Sequence, residues 1–566
     1  MDDSGPYHNN DVLTVSPDDN LSRALAALGP AAAPDLHDPA CDSRLVHTPR
    51  GPALKVVQSV VQIQTTDAWC QGTLAQEPPV GRLVIAGAGD GRLLQAALAA
   101  WPTTRIVLWD ADAAVLRHVL REVPLAAPIE SGRLCVVHGV QILELGLGED
   151  DRVVPHPVLG PRYRRQLAAA SGAQGPRVVV GDGQLMAADL ADSLAAEGWV
   201  PWPLSLDGGD PGALARLVSA LDAKLVAVIN HIHGLPELCE SLGVPLMVWE
   251  IDPAMDRPRS PTTTLHHTHI FTWRQSHEAE FRRVGFPAVH YLPLAAPSRR
   301  KRLQLTANET AEFAAPVSFV GESMATRARP AALQAVQAVA AWLRQRGRPP
   351  TEAPQLVQGV LDTQRQDLDQ WAIPGVLRTR LPGLDAQGGS RVSMLLGEVV
   401  AAERRLTRVA ALAPLGVHVW GDTGWQALAS RGVRVRGRAG HFHALTRIYN
   451  ATAINIDIGR LYQRDIVTMR VFDVLACGGF VLADHSEALC ALLRPGVEVE
   501  TWRTVGELVD KARWYLKHPD KAAAIAQRGH DAVHRDHSIR ARVRQMLAVM
   551  DLSAATLPDP PLPSGG

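Results

Sequence analysis

The chain has 566 residues, 46% of them apolar, with 57 Lys and Arg against 58 Asp and Glu. That length suits roughly three or four domains of about 150 residues, and the balanced charge excludes a global basic field that would draw in nucleic acid or an anionic membrane. The six cysteines, at 41, 70, 135, 239, 477 and 490, form no CxxC pair, a scatter that suits reduced thiols and a cytoplasmic location.

In chain order, residues 1–45 are rich in Asp, Pro and Ala and lack the basic and apolar regions of a signal peptide. They are expected to form a flexible segment with one short helix at Leu21 to Leu28. No apolar run approaches the eighteen or so residues needed to span a bilayer, so any membrane contact is expected to be peripheral.

Residues 46–172 read as a separate Rossmann-like unit. Arg82 to Ala86 is a buried strand, Gly87-Ala88-Gly89-Asp90-Gly91 a turn and Leu93 to Ala100 a helix; Arg105 to Trp109 is a second strand ending at Asp110. Gly87, Gly89 and Gly91 would let the backbone approach a nucleotide or S-adenosylmethionine, and Asp110 would bind ribose hydroxyls. The position two before the first glycine, usually acidic in methyltransferases of this pattern, is Ile85. The alternative is an accessory unit whose glycines serve tight turns and helix packing, and both readings stand at this point.

Residues 173–303 alternate strands with helices, as a parallel sheet requires. The strands are expected near Val178 to Val180, Leu225 to Ile229, Pro245 to Trp249, His269 to Trp273 and Val289 to Leu292. His231, His233 and Asp252 lie at strand ends and have the chemistry of a general base, which makes His231 and Asp252 the catalytic candidates. The basic run Ser298 to Arg302 reads as a solvated hinge face. The histidines at 266, 267, 269, 441 and 443 lack companion Cys or acid spacing, so no metal site is expected.

Residues 310–550 open with a strand at Val317 to Val320. A helical insertion over about 325–410 follows, with Leu333, Val336, Val339 and Leu343 at helical spacing. Next come a strand at Val417 to Trp420 and, after Asp484, a helical tail. Residues 551–566, rich in Pro, read as a disordered tail.

The run from Asp465 to Asp484 carries the most chemistry. Asp465 and Asp473 flank seven residues around the start of a helix, which Cys477-Gly478-Gly479 ends before an apolar strand. A helix N-terminus offers free N–H groups and partial positive charge to a diphosphate, and an acid nearby can accept hydrogen bonds from sugar hydroxyls. Those are the needs of a nucleotide-sugar site.

This run resembles the CgeB-like glycosyltransferases, which are of the GT-B type (glycosyl transferases group 1). Their pattern is an acid, seven residues and a second acid inside a segment like MRVFEALACGGF; Asp stands at both acidic positions here. The similarity extends to His418 to Trp425, like the family's GDxGW turn, to Val317 to Glu322, and upstream to Val228 to His231, Val248 to Pro253 and Tyr291 to Ala295. It covers about residues 176–545.

The resemblance implies an α/β fold with two Rossmann-like lobes in the GT-B arrangement, 173–303 for the acceptor and 310–550 for the donor. It implies transfer of a sugar from a nucleoside diphosphate donor to a glycan or protein acceptor, with no cofactor and no bound metal required. Asp473 would accept from the donor ribose and Asp465 would lie nearer the sugar or phosphates. Arg470 and Arg327 would face the diphosphate, while Gly321, Gly421 and Asp422 would shape the donor pocket beside Trp425. A methyltransferase activity in the N-terminal unit and an inactive glycosyltransferase-like scaffold are the alternatives.

Overall fold

A computed structural model of the chain describes residues 16–29, 34–56, 59–183, 185–205, 211–252, 260–384, 389–440 and 443–552. These fall into two compact units. One reaches to Met247 and takes in Leu265–Thr268; the other comprises Val248–Thr264 and His269 onward.

In the first unit, helix Pro17–Leu28 starts at Ser16, whose hydroxyl accepts from the amide of Asp19. A flexible segment over 1–45 does not describe residues 16–29 and 34–45. Leu21, Ala24 and Leu36 are buried, and Arg117 donates to Asp42 at 2.8 Å and to the Leu36 carbonyl at 2.7 Å. Residues 1–15 and 553–566, where the rest of the N-terminal segment and most of the tail were expected, lie outside the described residues.

A three-stranded antiparallel ribbon follows: β1 (Leu45–Thr48), β2 (Gly51–Val56) and β3 (Ser59–Gln62). Next is a parallel sheet of β4 (Leu83–Ala86), β5 (Ile106–Asp110), β6 (Leu134–His138) and β7 (Arg152–Pro155), in the order β6-β5-β4-β7. All residues of β4 and β5 are buried, which is why these strands read as continuous apolar runs rather than alternating ones. Three further strands, β8 (Arg177–Asp182), β9 (Val200–Ser205) and β10 (Leu225–Ile229), pair in parallel with β8 central. Strand β11 (Leu246–Glu250) contains the boundary between the units.

In the second unit β12 (Thr268–Thr272) pairs in parallel with β13 (Ala288–Tyr291). The main sheet is parallel throughout: β14 (Ala315–Val320), β15 (Val417–Trp420), β16 (Arg434–Val435), β17 (Thr452–Ile456), β18 (Val481–Asp484) and β19 (Glu500–Trp502), in the order β16-β15-β14-β17-β18-β19. This is the doubly wound Rossmann order, with a topological switch point at the carboxyl ends of β14 and β17, where such sheets bind ligands.

Between β14 and β15 lie helices Ala325–Gln345, Ala353–Arg365, Ile373–Arg380 and Gly389–Ala411. They bury a core of their own around Val339, Trp342, Leu343, Val360, Leu377 and Leu396. The terminal helix Ile539–Val549 is tied to the segment after β13, since Arg542 donates to the Pro293 carbonyl at 3.0 Å. Among the described residues no helix is long and apolar enough to cross a membrane.

Candidate functional site

The switch point is built by close backbone approach. A Cβ on Gly421 would collide with the carbonyl oxygen of Gly321, so the turns after β14 and β15 touch in a way only glycine permits at that position. The indole of Trp425 donates to the same oxygen at 2.9 Å. Asp422 is 6% exposed and accepts from the Ser323 amide at 2.8 Å, the Ser323 hydroxyl at 3.0 Å and Thr326 at 3.3 Å. Its carboxylate fixes the start of helix Ala325–Gln345. Arg327, exposed, pairs with Glu322 at 3.1 Å.

Arg470 sits at the switch point itself. Its Nε donates to the Val320 carbonyl at 2.8 Å, its terminal nitrogen bonds the Asp457 carboxylate, and its guanidinium lies 4.8 Å from the Phe319 ring centre. The side chain thereby joins the ends of β14 and β17. Thr468 also donates to Asp457, at 2.9 Å. As N-cap of helix Met469–Ala476, Thr468 gives no side-chain bond to the first turn, so its hydroxyl does not compete for those N–H groups.

The two motif acids are not neighbours on one helix face. Asp465 precedes the helix, and Arg274, just after β12, holds it through two hydrogen bonds of 2.7 and 3.0 Å; Ser276 adds a third at 3.0 Å. Asp473 lies inside the helix and pairs with Arg300 at 3.0 Å, the side chains being 4% and 0% exposed. Arg300 also donates to Thr446 at 3.1 Å.

One expectation falls here: the 298–302 run is not wholly a solvated hinge face, because Arg300 is its buried member. Asp473 is covered by that guanidinium. Charge in the sequence marked Arg300, but only the fold reveals the carboxylate that takes it inside.

Beside the N-terminus of the motif helix is a small, partly open pocket with a cavity volume of about 30 Å³, lined among others by Arg460, Gln463, Arg464, Thr468, Asp484 and His485. Asp484, at the end of β18, accepts from Arg404 and from the Gly459 amide at 3.2 Å. Arg404 comes from the helical insertion and is fully buried. Neither it nor the adjacent Arg405 stands out in the sequence. Burial lowers the Arg405 pKa to about 9, with Arg470 and Arg460 adding like-charge repulsion.

In the first unit the glycine-rich turn is filled from within. Gly87, Gly89 and Gly91 have φ of 96°, 59° and 80°, which suits glycine. A Cβ on Gly87 or Gly89 would come within 2.7 Å of His156, and one on Gly91 within 3.0 Å of Val119 and Val123. His156 is held by the Ile63 carbonyl at 3.1 Å and the Leu159 amide at 3.0 Å.

Asp110 is fully buried and accepts from the Ala88 amide at 2.8 Å, the Asp112 amide at 2.9 Å and the Tyr163 hydroxyl at 2.7 Å. Burial raises its pKa to about 7 against the pull of those donors. Its carboxylate is taken up by protein donors, and the glycines of the turn pack against His156, Val119 and Val123.

His231 and His233 follow β10 with ring centres 5.3 Å apart. Burial, reinforced by His233, lowers the His231 pKa to about 4, so the imidazole is neutral near pH 7 and a weak base, which counts against a general-base role. Asp252 is an exposed residue in the bend after β11. His441 lies outside the described residues, among which no three His, Cys, Asp or Glu side chains are grouped to hold a metal.

Residues 401–548, about a quarter of the chain, match a family described as glycosyl transferase-like. The match spans β15 to β19 and the motif helix. No curated protein matches the chain. Among solved structures, a glycosyltransferase from Rickettsia africae aligns with 83% of this chain and 98% of its own at 8% identity and a TM-score of 0.36. Anabaena HepE in complex with UDP-glucose aligns with 67% of this chain and 99% of its own at 10% identity and a score of 0.38. Sucrose-phosphate synthase from Thermosynechococcus elongatus gives 68%, 100%, 11% and 0.40. Likenesses this weak establish neither activity nor substrate.

Proposed function

We propose that the chain is a GT-B glycosyltransferase of the CgeB-like kind, acting on a nucleoside diphosphate sugar whose donor site lies at the switch point of the second unit. The supporting observation is the coincidence of the glycosyl transferase-like match with the strands and helix that converge there. In this reading the amides of the first turn of helix Met469–Ala476 and the cations around them stabilise the negative charge that grows on the leaving diphosphate. Asp465 accepts from sugar hydroxyls, and Asp252 takes the proton of a glycan or protein hydroxyl. No metal is needed for leaving-group departure.

Release of nucleoside diphosphate from a panel of donors tests this proposal. Turnover with one donor, retained in EDTA and reduced at least about tenfold in Asp465→Asn, supports it. No release from any donor, with no donor raising the melting temperature, sinks it. That second outcome would favour a catalytically silent scaffold, a reading to which the engagement of Asp465 by Arg274 and of Asp473 by Arg300 already lends weight.

A further inference from the structure

Gln463 has 9% exposure and lines the pocket beside the motif helix. Its amide nitrogen is buried and meets no acceptor among the described residues. Such a donor costs free energy unless something accepts from it.

Its neighbour Arg464 lines the same pocket. One terminal nitrogen donates to the Asp369 carbonyl at 2.6 Å, while Nε is buried without an acceptor. Among the described residues no carboxylate pairs with Arg464.

The pocket also contains acids, but each is answered by its own cation. Asp457 is bonded by Arg470 and Thr468, and Asp484 by Arg404. Arg460, the other cation of the lining, lies 3.5 Å from Glu398. His485 has its pKa lowered, chiefly by burial, and adds no charge near pH 7. What remains is the Arg464 charge, the Gln463 donor and the first-turn N–H groups of helix Met469–Ala476 other than that of Val471, which is bonded to the Thr468 carbonyl at 3.2 Å. Donors therefore outnumber acceptors around one space.

We propose that Gln463 and Arg464 form an oxyanion seat that takes a phosphate group, with the first-turn amides of helix Met469–Ala476 completing it. The inference deepens the donor-site reading by naming the two side chains that hold the diphosphate. A phosphate oxygen accepts from the Gln463 amide, a second from Arg464, and the helix dipole favours the charge. Arg470, already shared between Val320 and Asp457, does not line the pocket.

The test uses the full chain with inorganic pyrophosphate as probe, followed by melting temperature and calorimetry, in the wild type, Gln463→Leu, Gln463→Glu and Arg464→Gln. Pyrophosphate should stabilise the wild type and bind about tenfold more weakly to Gln463→Leu and Arg464→Gln. It should bind weakest to Gln463→Glu, which has nearly the shape of the native side chain but adds a negative charge. Apo melting temperatures within a few degrees of wild type show that the variants are folded. If Gln463→Leu does not fold, the nearly isosteric Gln463→Glu decides alone.

Equal pyrophosphate affinity in all variants, or none in the wild type, overturns the seat. Pyrophosphate binding lost in the variants without turnover of any nucleotide sugar would leave the seat standing and sink the transferase reading instead. Turnover that is indifferent to all three substitutions would do the reverse.

Discussion

Arg300 and Asp473 form an ion pair at 3.0 Å with side chains 0% and 4% exposed, which joins the segment after β13 to the motif helix. A charge so deeply placed is tolerated only with its partner, and removing one member leaves the other buried and uncompensated. The acid that the motif offers as a sugar ligand is therefore also a structural acid.

Asp473→Ala and Arg300→Ala should each destabilise the apo protein by about 3–5 kcal/mol. The double change Arg300→Met with Asp473→Leu should recover much of that loss, because it buries no charge. Denaturant midpoints for the three variants check this, and an unchanged midpoint in Asp473→Ala would show that the pair does not hold the fold.

Arg470→Ala removes the link between the Val320 carbonyl and Asp457. The expected cost is about 2–3 kcal/mol in the apo protein, with a loss of turnover alongside it. Arg470→Lys keeps the charge but loses the two-sided contact and should fall between. Melting temperature and turnover measured together separate the roles: a stable but inactive alanine variant would point to direct ligand contact.

Gly421→Ala should cost about 2–3 kcal/mol, because the added carbon meets the Gly321 carbonyl oxygen, a backbone atom with no rotamer to change. Gly375→Ala, with open space around the added carbon and no left-handed backbone, is the control for an alanine that meets nothing. Equal melting temperatures in the two variants would argue against the close backbone approach.

Asp110 makes folding of the first unit pH dependent. Its folded pKa of about 7 stands above the ordinary 3.8, so the folded state keeps a proton that the unfolded chain releases as pH rises from about 4. The stability associated with that proton is fully present at acid pH and is lost as pH climbs through 7. The deficit of Asp110→Ala relative to wild type should be largest near pH 4 and shrink towards pH 8. A deficit constant across that range would place the Asp110 titration elsewhere.

Much of the architecture was legible in the chain. The apolar run at Leu225–Ile229 emerges as a strand with those same ends, because a strand buried on both faces is nearly continuously apolar, and Val417–Trp420 does so with one buried polar residue, His418. The helical spacing of Val339 and Leu343 places both in the core of the insertion. The acid spacing and Gly-Gly turn located the motif helix, since caps and periodicity are local properties of the sequence.

Partners were not legible, because they come from residues far apart in the chain. Whether Asp473 faces a ligand or an arginine depends on Arg300, 173 positions away, and Asp465 is governed by Arg274 across 191. The glycines at 87, 89 and 91 carry a ligand-binding spacing, yet His156 occupies the space beside the first two of them. Sequence fixes which groups can bond and which backbone can turn; only tertiary packing assigns each donor its acceptor, because burial makes every pairing exclusive.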